Sequence, residues 1–161
     1  MAVPERERID DLIGRLRDSM QTFAAAAREF PAGHVHAKPD PVAFSATEIV
    51  YHLVDVESLW QTRIAAMRGD EQVQFVRYDP DAHARTGNFN VRPYAGGIDE
   101  FIAARRHTFD IVRGISEERL GWNALHPKFG EVTVARILEI MREHDAGHTA
   151  QLERTKQALA L

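Results

Sequence analysis

Apolar residues recur at steps of three and four positions in four segments of the chain, a spacing typical of α-helices that bury one face. The segments span approximately residues 5–30, 45–68, 98–113 and 133–159. No alternation typical of a β-strand runs for more than a few positions. The pattern therefore predicts an all-α fold. Its predicted core residues are Leu16, Phe23, Leu53, Trp60, Phe109, Met141 and Leu152.

Polar residues and glycines mark where these helices begin and end. Ser45 and Glu48 have the spacing of a capping box, in which each side chain accepts a hydrogen bond from the backbone N–H of the other residue. Thr133 is a suitable cap for the last helix. Gly96 and Gly97 are expected to form a hinge directly before the third helix.

The connection between the second and third helices, residues 70–97, is far longer than the two to eight residues that usually join neighbouring helices. It carries several aromatic residues, among them Phe75 and Tyr78, which favour packing over disorder. We therefore expect a crossover that lies over one end of the helices and covers a site. His83, in the same segment, is expected at the surface.

The last helix carries two histidines within its apolar stripe. The stripe runs through Ile137, Met141, His144, His148 and Leu152, so both imidazoles are predicted to face inward. Side chains at i and i+4 lie one above the other on a helix face, and the two imidazoles can therefore share one metal ion. Two hydrogen-bonded histidines at the edge of the core remain the alternative interpretation.

A third histidine lies on the second helix. His52 is about 60° from the centre of that helix's apolar stripe, so its side chain can point into a cavity between helices. Together with His144 and His148 it makes three ligands, the number typical of a catalytic metal site that keeps a position open. Of its neighbours, Glu48 is expected to face solvent, whereas Asp55 either contacts the imidazole or faces solvent.

The remaining histidines are expected to matter much less for metal binding. His107 is off the apolar stripe of its helix and is predicted to be exposed. His34 and His36 lie in a proline-rich connection, where an H-x-H pair is kept as an alternative metal site. His126 precedes the last helix and, like the other three, is expected to be dispensable for metal binding.

Length, charge and cysteine content narrow the class of protein. The 161 residues predict a single domain over residues 1–161. The formal net charge of −4 gives no general reason to expect nucleic acid or an anionic membrane as a partner. With no apolar run long enough to span a membrane and with charges near the N-terminus, we expect a cytoplasmic protein. Because the chain has no cysteine, a metal must bind to histidine, carboxylate, carbonyl or water.

Two stretches together resemble a known family. They are FSATEIVYHLVDVE around His52 and HPKFGEVTVARILEIMREHDAGHTAQL around His144 and His148, and they follow in the same order between Phe44 and Leu152. They are similar to the DinB-like superfamily and, within it, to the YfiT-like, bacillithiol-transferase-like branch.

The resemblance implies an antiparallel four-helix bundle with a long crossover loop, a divalent metal held by His52, His144 and His148, and often a homodimer. Some members of the family transfer low-molecular-weight thiols. The chain departs from the common pattern at Phe44, where a Trp is usual, and at Gly147, where many relatives carry a further His. Gln151 fits the pattern.

Other chemistries with similar motifs are disfavoured by the residues present. A zinc peptidase needs H-E-x-x-H, but Asp145 stands at the position of the glutamate. A di-iron carboxylate bundle needs paired Glu-x-x-His motifs, which the chain lacks. It also has no cysteine and no G-x-S-x-G nucleophile motif.

The sequence therefore predicts a metal-dependent enzyme of the thiol transferase or hydrolase type. Its expected substrate is a small molecule, and a low-molecular-weight thiol is one candidate. The metal would act as a Lewis acid on a thiol or on water. Zinc or nickel is the expected ion, with iron and manganese as alternatives, because a three-histidine site with water accepts all of them. A non-catalytic metal-binding or small-molecule-binding bundle, and an interaction protein with packed histidines, are the competing functions.

Overall fold

The computed structural model describes residues 4–67, 69 and 71–161. Its helices are α1 (Glu5–Glu29), α2 (Ala46–Ala66), α3 (Pro80–Thr86), α4 (Tyr94–Arg113), α5 (Glu117–Leu120) and α6 (Val134–Ala158). Three short strands are β1 (Val73–Gln74), β2 (Asn123–His126) and β3 (Gly130–Thr133). The four long helices match the four segments predicted from the sequence, and the predicted helical bundle is confirmed.

The four long helices α1, α2, α4 and α6 enclose the core. Helix α1 packs mainly against α6, and α2 mainly against α4. Every predicted core residue is buried, with at most 4% of its surface exposed. The apolar stripe of α1 is covered along its length by the other helices of the same chain. Helix α1 therefore leaves no apolar stripe that a second copy of the chain would need to cover. The homodimer stays a prediction based on the family resemblance.

A layer of buried charged residues divides the apolar core into two clusters. Arg105 lies on α4 between Phe109 of one cluster and Phe101 of the other. It forms hydrogen-bonded ion pairs with Glu57 of α2 at 2.8 Å and with Asp145 of α6 at 2.8 and 2.9 Å. The middle of the bundle is therefore polar, and the histidines of α2 and α6 lie near the same level of these helices.

A small sheet, which the sequence did not predict, lies beside the bundle. Strands β2 and β3 form an antiparallel hairpin in which His126 pairs with Gly130, and β1 adds to β2 in parallel. The strands are only two to four residues long, too short for an alternating pattern to be recognised. The turn after His126 requires Gly130, whose φ of +72° lies in the left-handed region that favours glycine. Strand β3 leads directly into α6.

The prediction of a hinge at Gly96 and Gly97 is wrong. Helix α4 already begins at Tyr94, and both glycines lie within its first turn. Gly97 instead permits a close approach of two helices. A Cβ atom at this position would lie 2.8 Å from the ring of Tyr51 and 2.9 Å from the side chain of Val50, both on α2. The glycine therefore serves helix packing.

The predicted helix caps are confirmed. Ser45 and Glu48 form both hydrogen bonds of the capping box, and Thr133 accepts a hydrogen bond from the backbone N–H of Arg136. The expectation that Glu48 faces solvent is wrong. Its surface is only 7% exposed, because the capping box holds it against the start of α2, where Lys38 forms an ion pair with it at 3.3 Å.

Within the described residues, no helix is both long and apolar enough to cross a membrane.

Candidate metal centre

Three histidine side chains from two helices converge on one point. The Nε2 atom of His144 lies 3.1 Å from Nε2 of His52 and 2.9 Å from Nε2 of His148. One nitrogen from each of the three lies within 4.8 Å of those from the other two. His52 on α2 is buried, and His144 and His148 on α6 are partly buried. The spacing of four residues on α6 brings its two imidazoles together, and the contact between α2 and α6 adds the third.

Burial keeps these three imidazoles neutral. Burial, and to a smaller extent the neighbouring histidines, lower the pKa of His52 to about 3 and that of His144 to about 2. Burial also lowers the pKa of His148, against the opposing effect of its hydrogen bond to Gln151. Neutral imidazole is the form that binds metals. The site therefore presents three nitrogen donors at neutral pH.

Hydrogen bonds at the far side of two rings direct their Nε2 lone pairs toward the convergence point. Nδ1 of His148 donates to the side-chain oxygen of Gln151 at 2.6 Å, which leaves its Nε2 without a proton. Nδ1 of His52 lies 3.4 Å from the hydroxyl of Tyr78. That hydroxyl donates to Asp55 at 2.6 Å, so it is available to His52 as an acceptor. Both outer imidazoles are thus held as Nδ1–H tautomers.

This pattern of protons fits a bound cation. With His52 and His148 both presenting lone pairs, His144 has a single Nε2 proton to offer and cannot satisfy both contacts. A cation at the centre satisfies all three nitrogens. Two imidazoles on one tetrahedral zinc ion have nitrogens about 3.3 Å apart, close to the separations observed here. The residues present therefore fit a divalent ion.

Asp55, whose role the sequence left open, belongs to this arrangement. Besides Tyr78 it accepts a hydrogen bond of 2.9 Å from Nδ1 of His83. The ring of His83 also packs against Tyr78, with 4.5 Å between the ring centroids. His83 is half exposed, so it lies at the surface as expected. It nevertheless supports the carboxylate that holds Tyr78 beside His52.

The two positions that depart from the family pattern differ in their surroundings. Phe44 packs beside the clustered histidine of α2, with 6.0 Å between its ring centroid and that of His52. Gly147 is exposed, and a Cβ atom at this position would meet nothing within 4 Å. Phe44 thus keeps an aromatic ring at its position, whereas Gly147 is surrounded by open space.

A cavity of about 890 Å³ opens onto the three histidines. Its aromatic walls include Trp60, Tyr78 and Phe129, and its cationic groups are Arg63, Arg77 and Lys128. Arg77 and Tyr78 come from the long connection between α2 and α4. This agrees with the expectation that the connection covers a site. The volume lies within the range of small-molecule sites in proteins.

The other histidines lie apart from the three-histidine cluster. His34 and His107 are exposed, and Nδ1 of His36 lies 2.6 Å from the backbone oxygen of Asn90. The one group of potential metal ligands found among the described residues contains none of them. His126, which is expected to be dispensable for metal binding, lines the cavity. The sequence does not indicate this position, because the strands of the hairpin that carries His126 are too short to show an alternating pattern.

The fold and site define a helical bundle whose three-histidine cluster opens into a small-molecule-sized cavity. A sequence model of the DinB superfamily matches residues 15–152, and the chain belongs to that superfamily. No curated protein matches the chain.

Two solved structures have a similar fold. The first is YfiT from Bacillus subtilis, described as a probable metal-dependent hydrolase with an unusual four-helix bundle topology. It has a TM-score of 0.79 at 14% identity, with 99% of this chain and 91% of YfiT covered. The second is a conserved protein from Enterococcus faecalis, with a TM-score of 0.61 at 16% identity and coverage of 92% of this chain and 95% of that protein. At these identities the likeness concerns the fold.

Proposed function

We propose that this protein is a metal-dependent enzyme that acts on a small molecule by hydrolysis or by thiol transfer. The observation that carries the proposal is the convergence of His52, His144 and His148 on the wall of a cavity large enough for a substrate. YfiT, which shares the fold, is described as a probable metal-dependent hydrolase, and this supports the hydrolytic alternative. The resemblance to thiol-transferring relatives supports the other.

In this proposal, different residues would bind the metal, orient its ligands and bind the substrate. The three histidines would hold one divalent ion, and Tyr78 and Gln151 would hold two of the imidazoles in the tautomer that binds it. When bound, such an ion acts as a Lewis acid that lowers the pKa of a water or thiol nucleophile. Trp60 and Phe129 would bury the apolar part of the substrate and exclude water.

Three ligands from the protein are the arrangement of catalytic rather than structural zinc sites. A structural site closes the coordination with a fourth protein ligand, and only three potential ligands are grouped here among residues 4–67, 69 and 71–161. The cavity lies on the open side of the group. This arrangement supports an enzyme over a bundle that uses a metal for stability alone.

The test combines metal analysis with turnover. We expect about one divalent ion per chain by elemental analysis, with zinc or nickel first and iron or manganese as alternatives. Turnover would be measured with panels of esters, amides and phosphoesters, and with low-molecular-weight thiols plus an electrophile. Activity should disappear with a chelator, return with the metal, and be absent in His144→Ala. The matched control is His107→Ala, an exposed histidine of α4.

The outcomes separate the alternatives. Hydrolysis without thiol dependence identifies a hydrolase, and thiol consumption identifies a transferase. A stoichiometric metal with no turnover in either panel would favour a non-catalytic metal-binding bundle. A purified protein with no metal and no affinity for one would overturn the proposal and leave the histidines as packed core residues.

A further inference from the structure

Two hydrogen-bond donors face each other in the wall of the cavity. Nη1 of Arg63 on α2 lies 3.3 Å from Nε2 of His126 on β2. The tautomer of His126 follows from its other nitrogen, because the backbone N–H groups of Lys128 and Phe129 donate to Nδ1 at 3.0 and 3.2 Å. Nδ1 is therefore unprotonated, and the neutral ring carries its proton on Nε2.

The charge state of His126 is consistent with this assignment. Burial lowers its pKa, and the positive charges of Arg63 and Lys128 lower it further, so the ring is neutral at neutral pH. The guanidinium N–H and the imidazole N–H thus meet as two donors. Donors in this arrangement are satisfied by one acceptor atom that bridges them, and an oxygen of an anion is such an atom.

Arg63 also carries a buried positive charge that is not neutralised. Its surface is only 7% exposed, yet within residues 4–67, 69 and 71–161 no carboxylate forms an ion pair with it. Its contacts are neutral: Nη2 donates to the backbone oxygen of Val76 at 2.8 Å, and the guanidinium lies 4.9 Å from the ring centroid of Trp60. Arg105, which is 2% exposed, is by contrast paired with two carboxylates. A buried cation without a counter-ion is costly and is stabilised when an anion binds.

The surrounding cavity is positive as well. Arg77 and Lys128 line it together with Arg63, and Glu143 is the one carboxylate among the described lining residues. The whole chain has a formal net charge of −4, so this concentration of positive charge is local. A positive cavity attracts an anionic ligand and raises its local concentration.

From these contacts we infer that Arg63 and the Nε2–H of His126 form an oxyanion subsite, which binds a carboxylate or phosphate group of the substrate. This inference rests on the proposed function only in calling the ligand a substrate. His52 and Arg63 are eleven positions apart on α2, which corresponds to about 16 Å along the helix axis. The apolar side chains of Val56 and Trp60 line the cavity from the same helix between them.

The position of the subsite defines the class of ligand. A small anion such as acetate is too short to contact Arg63 and the three histidines together. The fitting ligand is elongated, with an oxyanion at one end, an apolar or aromatic middle against Trp60, and the reacting group at the histidines. Such a molecule would use the length of the cavity as well as its charge.

The test compares three probes that share one 3-phenylpropyl tail: 4-phenylbutyrate, its neutral amide and 3-phenylpropyl phosphate. Binding would be followed by calorimetry on the full chain as purified and again after metal removal. We expect both anions to bind at least about tenfold more tightly than the amide, with or without metal. The better of the two anions identifies whether the subsite prefers carboxylate or phosphate.

Variants assign the preference to its residues. Arg63→Gln should abolish the advantage of the anions over the amide. His126→Asn keeps an acceptor for the two backbone N–H groups but removes the Nε2–H donor, and it should weaken the anions several-fold. Arg92→Gln is the matched control, because Arg92 also stacks on aromatic rings, 5.2 Å from that of Tyr51, but lines a different cavity. It should leave all three affinities unchanged.

Several results would overturn the subsite. They are equal affinity for the anions and the amide in the wild type, a preference that disappears on metal removal, or an equal loss in Arg92→Gln. If Arg63→Gln does not give a folded helical spectrum, the probe comparison in the wild type and in His126→Asn decides instead. A preference for anions in a protein that binds no metal would retain the subsite while overturning the proposed metal-dependent function.

Discussion

The hydroxyl of Tyr78 donates a hydrogen bond of 2.6 Å to the carboxylate of Asp55. Burial, together with this hydrogen bond, raises the pKa of Tyr78 above its ordinary value, so the phenol keeps its proton. Because that proton is directed at Asp55, the phenol oxygen can only accept from Nδ1 of His52, 3.4 Å away. A residue of the long connection thus sets the tautomer of a histidine on α2.

Tyr78→Phe is expected to weaken metal binding without unfolding the bundle. The substitution removes the acceptor for His52, and loss of such a supporting partner lowers metal affinity by about 10–100-fold in comparable sites. Competition with a chelating dye would measure the change. The control is Tyr94→Phe, since the hydroxyl of Tyr94 donates to the backbone oxygen of Ala27 and lies apart from the histidine cluster. Equal metal affinity in the two variants would contradict this role of Tyr78.

Replacing any of the three clustered histidines by Ala should sharply reduce metal content while the helices persist. Each imidazole supplies one of three donor nitrogens, but the apolar clusters of the bundle do not depend on them. Elemental analysis and far-UV circular dichroism would report the two quantities. His34→Ala and His107→Ala, both at exposed positions, are the appropriate controls. If His52→Ala retains the metal and His144→Ala loses it, the third ligand has been wrongly assigned.

The stability of the metal-free protein should decrease as the pH falls below 6.5. His52 and His144 have folded-state pKa values of about 3 and about 2, below the value of 6.5 for an unperturbed histidine. The unfolded chain therefore binds protons that the folded chain excludes, and each histidine costs about 1.4 kcal/mol of unfolding free energy per pH unit in this range. Urea denaturation at a series of pH values would measure the slope.

Two variants make this measurement specific. His144→Leu should reduce the pH slope by about one proton, because the group that titrates between the two states is gone. Leu152→Ala should lower stability at every pH without changing the slope, since it removes a buried apolar side chain. A wild-type stability that stays constant below pH 6.5 would contradict the burial of neutral imidazoles.

Asp145→Ala should be among the most destabilising substitutions in the chain. It leaves Arg105, which is 2% exposed, with one of its two carboxylate partners. Breaking a buried ion pair from one side typically costs about 3–5 kcal/mol. For comparison, Asp11→Ala removes an exposed pair with Arg15 and should cost less than about 1 kcal/mol. Similar losses for the two variants in urea denaturation would show that the buried pair is not important for stability.

The long-range periodic features of this protein could be predicted from its sequence. Apolar stripes extend over many helical turns. They therefore predicted the positions of the four long helices and of core residues such as Phe23 and Trp60. The spacing of His144 and His148, with the resemblance around His52, was sufficient to propose the metal centre. Capping residues such as Ser45 act over three positions, and they were recognised for the same reason.

Features that depend on contacts between distant segments could not be predicted. His126 reaches the cavity only because β2 pairs with β3, and strands this short have no periodic signal. Asp55 was ambiguous because its partners, Tyr78 and His83, come from a connection whose path the sequence did not define. The position of Arg105 in an apolar stripe gave no indication that two carboxylates would neutralise it.

The buried pair between Arg105 and Asp145 also determines the rotation of α6 about its own axis. Asp145 is tied to Arg105 of α4 and accepts a hydrogen bond of 2.6 Å from Ser19 of α1, so its side chain has a single permitted direction. At about 100° per residue, His144 lies about 100° and His148 about 60° from Asp145 in the same sense around the helix, so both point away from α1 and α4 and toward α2. An ion pair that touches neither imidazole thus sets the direction in which both of them point.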